Sequence, residues 1–432
     1  MKITFCINTA RNERNHIELL FRSLEKNLSR KDHDIIVYVE NDNQDTTGYL
    51  QSVAKKMFPN LTIVKNPLPI PLDYGRNINI MFEMAKTEVV SYLQSDMVIG
   101  PRYDEEILKH LTPDTIISST RIEPPLHPPS PEKITHDFGL DPIKFDLDAF
   151  SKFAELNKKD GITNFWFAPF TMYKKVWVDI GGHDTLFRRS RVDSDILYRF
   201  SLNGIKTKQV WNALVYHFTC TSSRGIEWWT EKAQERTRLQ QIADQIELAR
   251  FLRKWGTFKH PNTPEEVKDD YFYRISANIH HAAPLDMSIF QNYFLFNKIY
   301  VDNPNTRQVI KTAYNNLHKP ANQMHNIDDD DWDTYKKYYR LWEFEEVFVD
   351  EPVSDDVVFD IDLKGTVFSS ICNNQIFRQR QEIVHAYRSE EPGEYELEGQ
   401  DIKIILENPI NRIKENISIT NPLIDDVNLV IL

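Results

Sequence analysis

At 432 residues, with 41% hydrophobic and 27% charged residues, the chain is long enough for two domains, or for one large domain with an appendage. Its net charge of −12 excludes a sequence-independent nucleic-acid binder, because a phosphate backbone requires a basic surface. The three cysteines, Cys6, Cys220 and Cys372, lack metal-ligand spacing and read as the reduced thiols of a cytoplasmic protein; no apolar run approaches the roughly 18 residues of a membrane span.

Residues 3–8 (ITFCIN) predict a buried strand, and Arg14–Leu28 places Ile17, Leu20, Phe21, Leu24 and Leu28 at helical spacing. The alternation continues with a strand at Asp34–Val39, a helix at Tyr49–Phe58, a strand at Leu61–Val64, a helix at Asp73–Lys86 and a strand at Glu88–Leu93. Strands alternating with helices predict an α/β fold with a mostly parallel sheet covered on both faces. No G-x-G-x-x-G follows the first strand and no G-x-x-x-x-G-K-[ST] occurs, so neither dinucleotide nor P-loop chemistry is supported.

The strand ends carry the polar residues. Thr9, Arg11, Asn12 and Glu13 follow the first strand, Glu40, Asn41 and Asp42 the second, and Arg76 opens the helix before the fourth. The fourth strand ends in Gln94, Ser95 and Asp96. Helix capping accounts for any one of these clusters. Four on successive strand ends converge on the rim where open α/β sheets bind ligands.

The order of these clusters resembles the family 2 type of GT-A glycosyltransferase, whose members are inverting enzymes using nucleotide-diphosphate sugars. INTARNERNHIELLFRSL is similar to the family's strand, polar turn and amphipathic helix, and VENDNQDTTGYL to its V-D-D-G-S-x-D-x-T stretch. YGRNINIMFEMAKTEVVSYLQSDM is similar to the stretch that ends in its D-x-D, so that only the second Asp, Asp96, is present. The resemblance covers about residues 1–220. It implies a GT-A, Rossmann-like nucleotide-binding core, with the donor nucleotide against Thr9, Arg11, Asn12, Glu13, Glu40, Asn41, Asp42, Arg76 and Ser95. Glu40-Asn41 stands where the family has its acidic pair, which leaves the base open between uracil and guanine. Asp96 is then the metal contact, and a hard cation on carboxylate oxygen neutralises the leaving diphosphate.

Residues 121–160 read as a long Pro-rich loop, a lid or a plain tether, with helical periodicity from Phe145 to Leu156. Asn164–Phe170, with Trp166 at its centre, predicts an aromatic strand. Gly181-Gly182-His183-Asp184 resembles the family's G-G-F-D, which implies that Gly182, Asp184 and Trp166 face the donor or acceptor sugar. RVDSDILYR resembles its E-D-x-D-x-x-x-R, with Val192 in place of the first acid, so Asp193 matches the general base; capping is the alternative use of the pair Asp193 and Asp195, one of which is placed to pair with Arg199 at i+4. A strand-turn-strand is expected over Gly204–Val215, and His217 after it resembles a metal or diphosphate contact of the family, imidazole favouring Mn²⁺. A lone strand-end His has a structural alternative.

Gly225–Trp255 predicts a long helix, Asp328–Asp333 a solvated acidic run, Asn374–Arg388 a helix, and the texture turns to β from Phe344. The expected organisation is a GT-A domain over 1–258, a helical extension over 259–342 and a small β-rich domain over 343–432, with possible homo-oligomer contacts through the C-terminal region. The resulting expectation is a cytoplasmic, Mn²⁺- or Mg²⁺-dependent inverting glycosyltransferase of glycan biosynthesis, moving sugar from a UDP- or GDP-sugar to an acceptor hydroxyl. Two rivals share the pattern. One is a sugar nucleotidyltransferase, which requires a glycine-rich basic loop where Asn8–Arg14 has no glycine; the other is an inactive binding or assembly protein, favoured by Gln94 and Val192.

Overall fold

The computed structural model describes residues 1–9, 13–40, 45–66, 74–187, 190–219, 274–281, 296–317, 347–362, 392–396, 402–406 and 430–431, with isolated positions between 247 and 263. The chain divides into two compact units. The first comprises Met1–Thr237, Pro261–Lys268 and Ile419–Leu432, the second Arg238–His260 and Asp269–Ser418.

The first unit opens as the hydrophobic pattern dictates. β1 (Ile3–Thr9), β2 (Asp34–Val39), β3 (Leu61–Lys65) and β4 (Val89–Gln94) are mutually parallel in the order β3-β2-β1-β4. They are joined by α1 (Arg14–Asn27), by α2 (Thr46–Tyr49) running through a π-helical turn at Leu50–Ala54 into α3 (Lys55–Met57), and by α4 (Tyr74–Met84). Strand alternation sorts the side chains. Phe5 and Ile7 pack with Ile17, Leu20, Phe21 and Leu24 of α1 on one face. Cys6 and Tyr92 pack with Ile78, Met81 and Phe82 of α4 on the other. Burial pushes the Cys6 thiol far up, so it stays protonated and inert.

β5 (Met97–Ile99) follows a tight turn, and α5 (Tyr103–Leu108) leads into β6 (Thr115–Glu123). After β7 (Lys133–Thr135), α6 (Leu147–Leu156) and β8 (Ile162–Thr163) come β9 (Phe170–Tyr173), α7 (Lys174–Asp179), α8 (Val192–Leu202) and β10 (Lys206–His217). β9 runs antiparallel between β4 and β6, and β10 runs parallel to β6 and antiparallel to β5. Two expectations are corrected here. Asn164–Phe170 is not a strand but the approach to β9, which begins only at Phe170; of its other rings Trp166 is buried, while Phe165 and Phe167 stay half-buried. Gly204–Val215 is not strand-turn-strand: β10 is one strand of 12 residues that accommodates a register shift between Val210 and Leu214 as a bulge.

In the second unit, β11 (Ile275–His280), β12 (Ile299–Val301), β13 (Phe348–Val349) and β14 (Val357–Asp362) are parallel in the order β13-β12-β11-β14. β16 (Ile402–Leu406) and β15 (Gly393–Glu396) add antiparallel edges, and α9 (Pro304–Leu317) lies between β12 and β13 in the chain. The helical expectation for 259–342 therefore fails at β11 and β12, whose β-branched residues are buried between parallel neighbours. The elements described within 343–432 are strands, as expected, but β13 to β16 share a sheet that begins before that segment, at β11. The last strand, β17 (Val430–Ile431), pairs with β3 in the first unit's sheet. The expected helices over Gly225–Trp255 and Asn374–Arg388 and the acidic run lie largely or wholly outside the described residues.

Candidate active site at the strand-order switch

β1, β2 and β3 step outward in one direction, and β4 then returns to the opposite side of β1. In open α/β sheets such a switch point opens a ligand crevice at the carboxyl ends of the strands, here those of β1 and β4. Asn8 and Gln94 are register partners at that point, and the Tyr92 hydroxyl donates to Asn8 Oδ1 at 2.5 Å.

The turn after β4 brings Asp96 to this crevice. Its carbonyl accepts from the Phe218 N–H at 3.0 Å, and antiparallel pairing of His217 with Met97 aligns His217 beside it. Asp96 Oδ2 lies 3.8 Å from His217 Nε2. The other ring nitrogen, Nδ1, is 2.8 Å from Glu123 Oε1 at the end of β6. Burial by itself would raise the Glu123 carboxyl, but the His217 hydrogen bond, Arg121 and Lys133 outweigh it and hold Glu123 well below the usual carboxylate range.

Asp193 and Asp195 are separated by the helix, as their two-residue spacing requires. Asp195 is buried and pairs with buried Arg199 at 3.0 Å, whose Nη1 also donates to the Ile180 carbonyl at 2.9 Å. Asp193 is exposed on the first turn of α8, where the amide dipoles favour an anion. Asp193 and Asp96 act on the same phenol. Burial is the main cause that raises Tyr74 well above an ordinary tyrosine; Asp193 and Asp96 add to it, against the Tyr92 hydrogen bond and Arg121.

Other expected nucleotide contacts are engaged internally. The Ser95 hydroxyl donates to the buried Glu13 carboxylate. Glu40, also buried, accepts from Asn66 and Asn77 at 2.8 Å each, tying β2 to the segment after β3 and to α4. Thr9 ends β1 fully buried, with no hydrogen-bond partner at Oγ1. Arg76 is half-buried in the first turn of α4. Arg11, Asn12, Asn41 and Asp42 lie outside the described residues.

The sugar-facing expectations divide. Trp166 is 5% exposed and packs on Phe170 and Phe200 at ring distances of 5.5 and 5.8 Å, so its faces are spent in the core and offer no stacking platform. Gly182, at φ +71°, closes the turn after α7, and an added Cβ would lie 2.4 Å from Asn79 Oδ1. That amide oxygen accepts from the His183 N–H at 2.8 Å and from Trp177 Nε1 at 3.2 Å, while Nδ2 donates to the His183 carbonyl at 2.8 Å. Asp184 is buried and its Oδ1 accepts from the Leu186 N–H at 2.9 Å, so at least that oxygen serves the turn. His183, where the family has Phe, behaves as an aromatic ring. It is fully buried with no partner at either nitrogen, and stands edge-on to Trp177 at 4.8 Å. Burial, aided by Arg199 and opposed by Asp195, pushes its pKa down to about 3.

Sequence reasoning missed Glu123, Asn79 and the Tyr74–Tyr92 pair, the rings of which meet edge-on at 5.5 Å. Glu123 sat at the start of the segment read as a Pro-rich loop, which in fact continues β6 to that residue. Asn79 had one available signal: with Asn77 it is a polar residue among the buried apolar positions Ile78, Ile80, Met81 and Phe82 of α4.

Among the described residues, no group of three or more His, Cys, Asp or Glu side chains is placed to hold a metal ion by itself. Asp96 and His217 supply two converging donors, one carboxylate oxygen and one imidazole nitrogen. Such a pair fits a divalent cation that takes its remaining ligands from a diphosphate and water. No helix among the described residues is long and apolar enough to cross a membrane.

No curated protein matches the chain. Solved structures similar to it include S. aureus TarS 1–349, at 12% identity and TM-score 0.36, covering 59% of this chain and 71% of that one. The mannosyltransferase PcManGT from Pyrobaculum calidifontis, in complex with GDP-Man and Mn²⁺, matches at 12% identity and TM-score 0.40 over 80% of this chain and 84% of that one. GalNAc-T7 with UDP, GalNAc and Mn²⁺ matches at 13% identity and TM-score 0.39, over 57% and 51%. The family model described as glycosyl transferase family 2 matches residues 6–179, which span β1 to α7 and include the crevice at β1 and β4. Residues 6–179 are therefore a glycosyl transferase family 2 region, with the GT-A fold expected from the order of its strand-end clusters.

Proposed function

We propose that the chain transfers a sugar from a nucleotide-diphosphate sugar to an acceptor hydroxyl with inversion, assisted by a divalent cation held by Asp96 and His217. The observation that carries the proposal is the convergence of Asp96 and His217 at the strand-order switch, 3.8 Å apart, with exposed Asp193 acting on the same tyrosine as Asp96. When bound, the cation supplies Lewis-acid stabilisation of the leaving diphosphate. Asp193 takes the proton from the acceptor oxygen as that oxygen attacks the anomeric carbon from the face opposite the diphosphate. Arg76, at the start of α4, lies against the diphosphate, its planar fork suited to phosphate oxygens. The nucleotide lies along Thr9, residues 11–13 and residues 40–42. Within that rim Glu13 and Glu40 act by fixing Ser95, Asn66 and Asn77 in place.

The first test is thermal shift against UDP-, GDP- and CDP-compounds, each with and without Mn²⁺. A bound nucleotide raises apparent stability by about 2.7 kcal/mol at a hundredfold excess over Kd. The proposal expects a Mn²⁺-dependent shift for one nucleotide that Asp96→Ala abolishes. A folded protein that shifts with none of them overturns it. A second reading, a nucleotide-binding protein without transfer, draws on neutral Gln94 at the family's first-Asp position, its buried Oε1 without a hydrogen-bond partner. Nucleotide binding with no sugar released or transferred, in single turnover with the donor so identified, selects that reading.

A further inference from the structure

We infer that Glu123 is a positioning residue for the proposed cation site: it fixes His217 with the proton on Nδ1 and directs the bare Nε2 at Asp96. The inference rests on the reading of Asp96 and His217 as cation donors and goes beyond it by assigning a residue that neither the family motifs nor the sequence pattern marks.

The geometry is carried by the sheet. β6 and β10 are parallel neighbours, with Tyr216 in register with Ile122, so the residues that follow, His217 and Glu123, end their strands side by side. Glu123 Oε1 meets His217 Nδ1 at 2.8 Å, while His217 Nε2 faces Asp96 Oδ2 at 3.8 Å. A carboxylate accepts only, so the nitrogen 2.8 Å from Glu123 carries the proton, and in the neutral ring the opposite nitrogen then keeps its lone pair. This is the arrangement by which an outer carboxylate sets the tautomer and orientation of a metal-binding imidazole.

Glu123 is itself held from the other side. Lys133 Nζ reaches Oε2 at 3.0 Å, Arg121 Nη1 approaches Oε1 at 3.5 Å, and the Glu123 carbonyl accepts from the His136 N–H at 3.0 Å. Lys133 and Arg121 hold the carboxylate, and the His136 N–H holds the backbone, from β6, β7 and the residue after β7.

Two measurements on the full chain test the inference. The ¹⁵N shifts of the His217 ring in ¹⁵N-histidine-labelled protein report which nitrogen is protonated, without any metal. Mn²⁺ titration followed by electron paramagnetic resonance, with UDP or GDP present, reports cation affinity. In the neutral ring, wild-type protein is expected to show protonated Nδ1 and bare Nε2. Glu123→Ala is expected to shift the ring toward the other tautomer and weaken Mn²⁺ by roughly 10- to 100-fold. Glu123→Gln, whose amide oxygen still accepts from Nδ1, is expected to keep the tautomer and most of the affinity, which separates orientation from loss of fold. A wild-type ring protonated at Nε2 alone overturns the inference. So does unchanged Mn²⁺ affinity in Glu123→Ala when His217→Ala weakens it. If wild-type protein takes up no Mn²⁺ with either nucleotide, the cation reading of the site fails, and the ¹⁵N shifts still decide whether Glu123 sets the tautomer.

Discussion

Gly182→Ala measures how tightly the turn after α7 is locked to α4, and Gly204→Ala is its internal control. Both glycines have left-handed backbones, at φ +71° and +68°. A Cβ costs about 1–2 kcal/mol in that conformation whatever surrounds it. At Gly204, which follows the C-cap of α8, an added Cβ meets nothing within 4 Å, so that cost is the whole effect. At Gly182 the Cβ would sit 2.4 Å from Asn79 Oδ1 and 2.8 Å from Trp177 Nε1. Both atoms are buried, so the Asn79 amide has to give way and its bonds from the His183 N–H and the Trp177 indole are strained or lost. A buried donor left unmade costs about 1–3 kcal/mol, which brings the expected loss for Gly182→Ala to about 2–5 kcal/mol. Urea unfolding followed by near-ultraviolet circular dichroism compares the two variants directly. In an Asn79→Ala background the extra cost of Gly182→Ala should shrink toward that of Gly204→Ala. Equal losses for the two single variants would refute the reasoning.

Four further outcomes follow from the same structure. Asp195→Ala leaves the Arg199 guanidinium buried without its carboxylate and should cost about 3–5 kcal/mol, whereas Asp193→Asn, on an exposed first-turn position, should cost no more than about 1 kcal/mol. In a transfer assay with the donor identified above, Asp193→Asn should lower turnover by roughly 10²–10⁴-fold with the fold intact; unchanged turnover removes it as the base. His183 titrates near 6.5 when unfolded and near 3 when folded, so the unfolded chain binds the extra proton and stability falls as pH drops through that window. The loss between pH 7 and 5 should be about 2 kcal/mol, and His183→Phe should abolish that share; an identical pH slope in the variant contradicts the neutral buried ring. Burial would raise the Asp104 carboxyl, yet hydrogen bonds from His33, Ser29 and Arg30 bring it down to about 2. Its contribution is complete above pH ~4 and is lost as pH falls toward 2, so Asp104→Asn should flatten acid unfolding in that range.

The amino-acid sequence by itself determined the alternation of strands and helices through β4, because burial on both sheet faces demands apolar strands and one-sided helices. It also marked Asp96, Asp193 and His217, since charged or imidazole side chains interrupting such patterns stand out locally. It could separate Asp193 from Asp195 only as alternatives: a two-residue offset on a helix guarantees divergence, but which carboxylate turns inward depends on where Arg199 is buried. The tertiary structure decided that Asp195 takes the arginine, that Trp166 belongs to the core, and that Glu13 and Glu40 bind other side chains of this chain. It also revealed β11 and β12 in a stretch that looked helical, and Glu123 beside His217, 94 residues away in the chain. The reason is common to all of these. Short-range periodicity reports which face of an element is buried, whereas hydrogen-bond partners are chosen by strand order and register, and those are settled only when distant segments pack together.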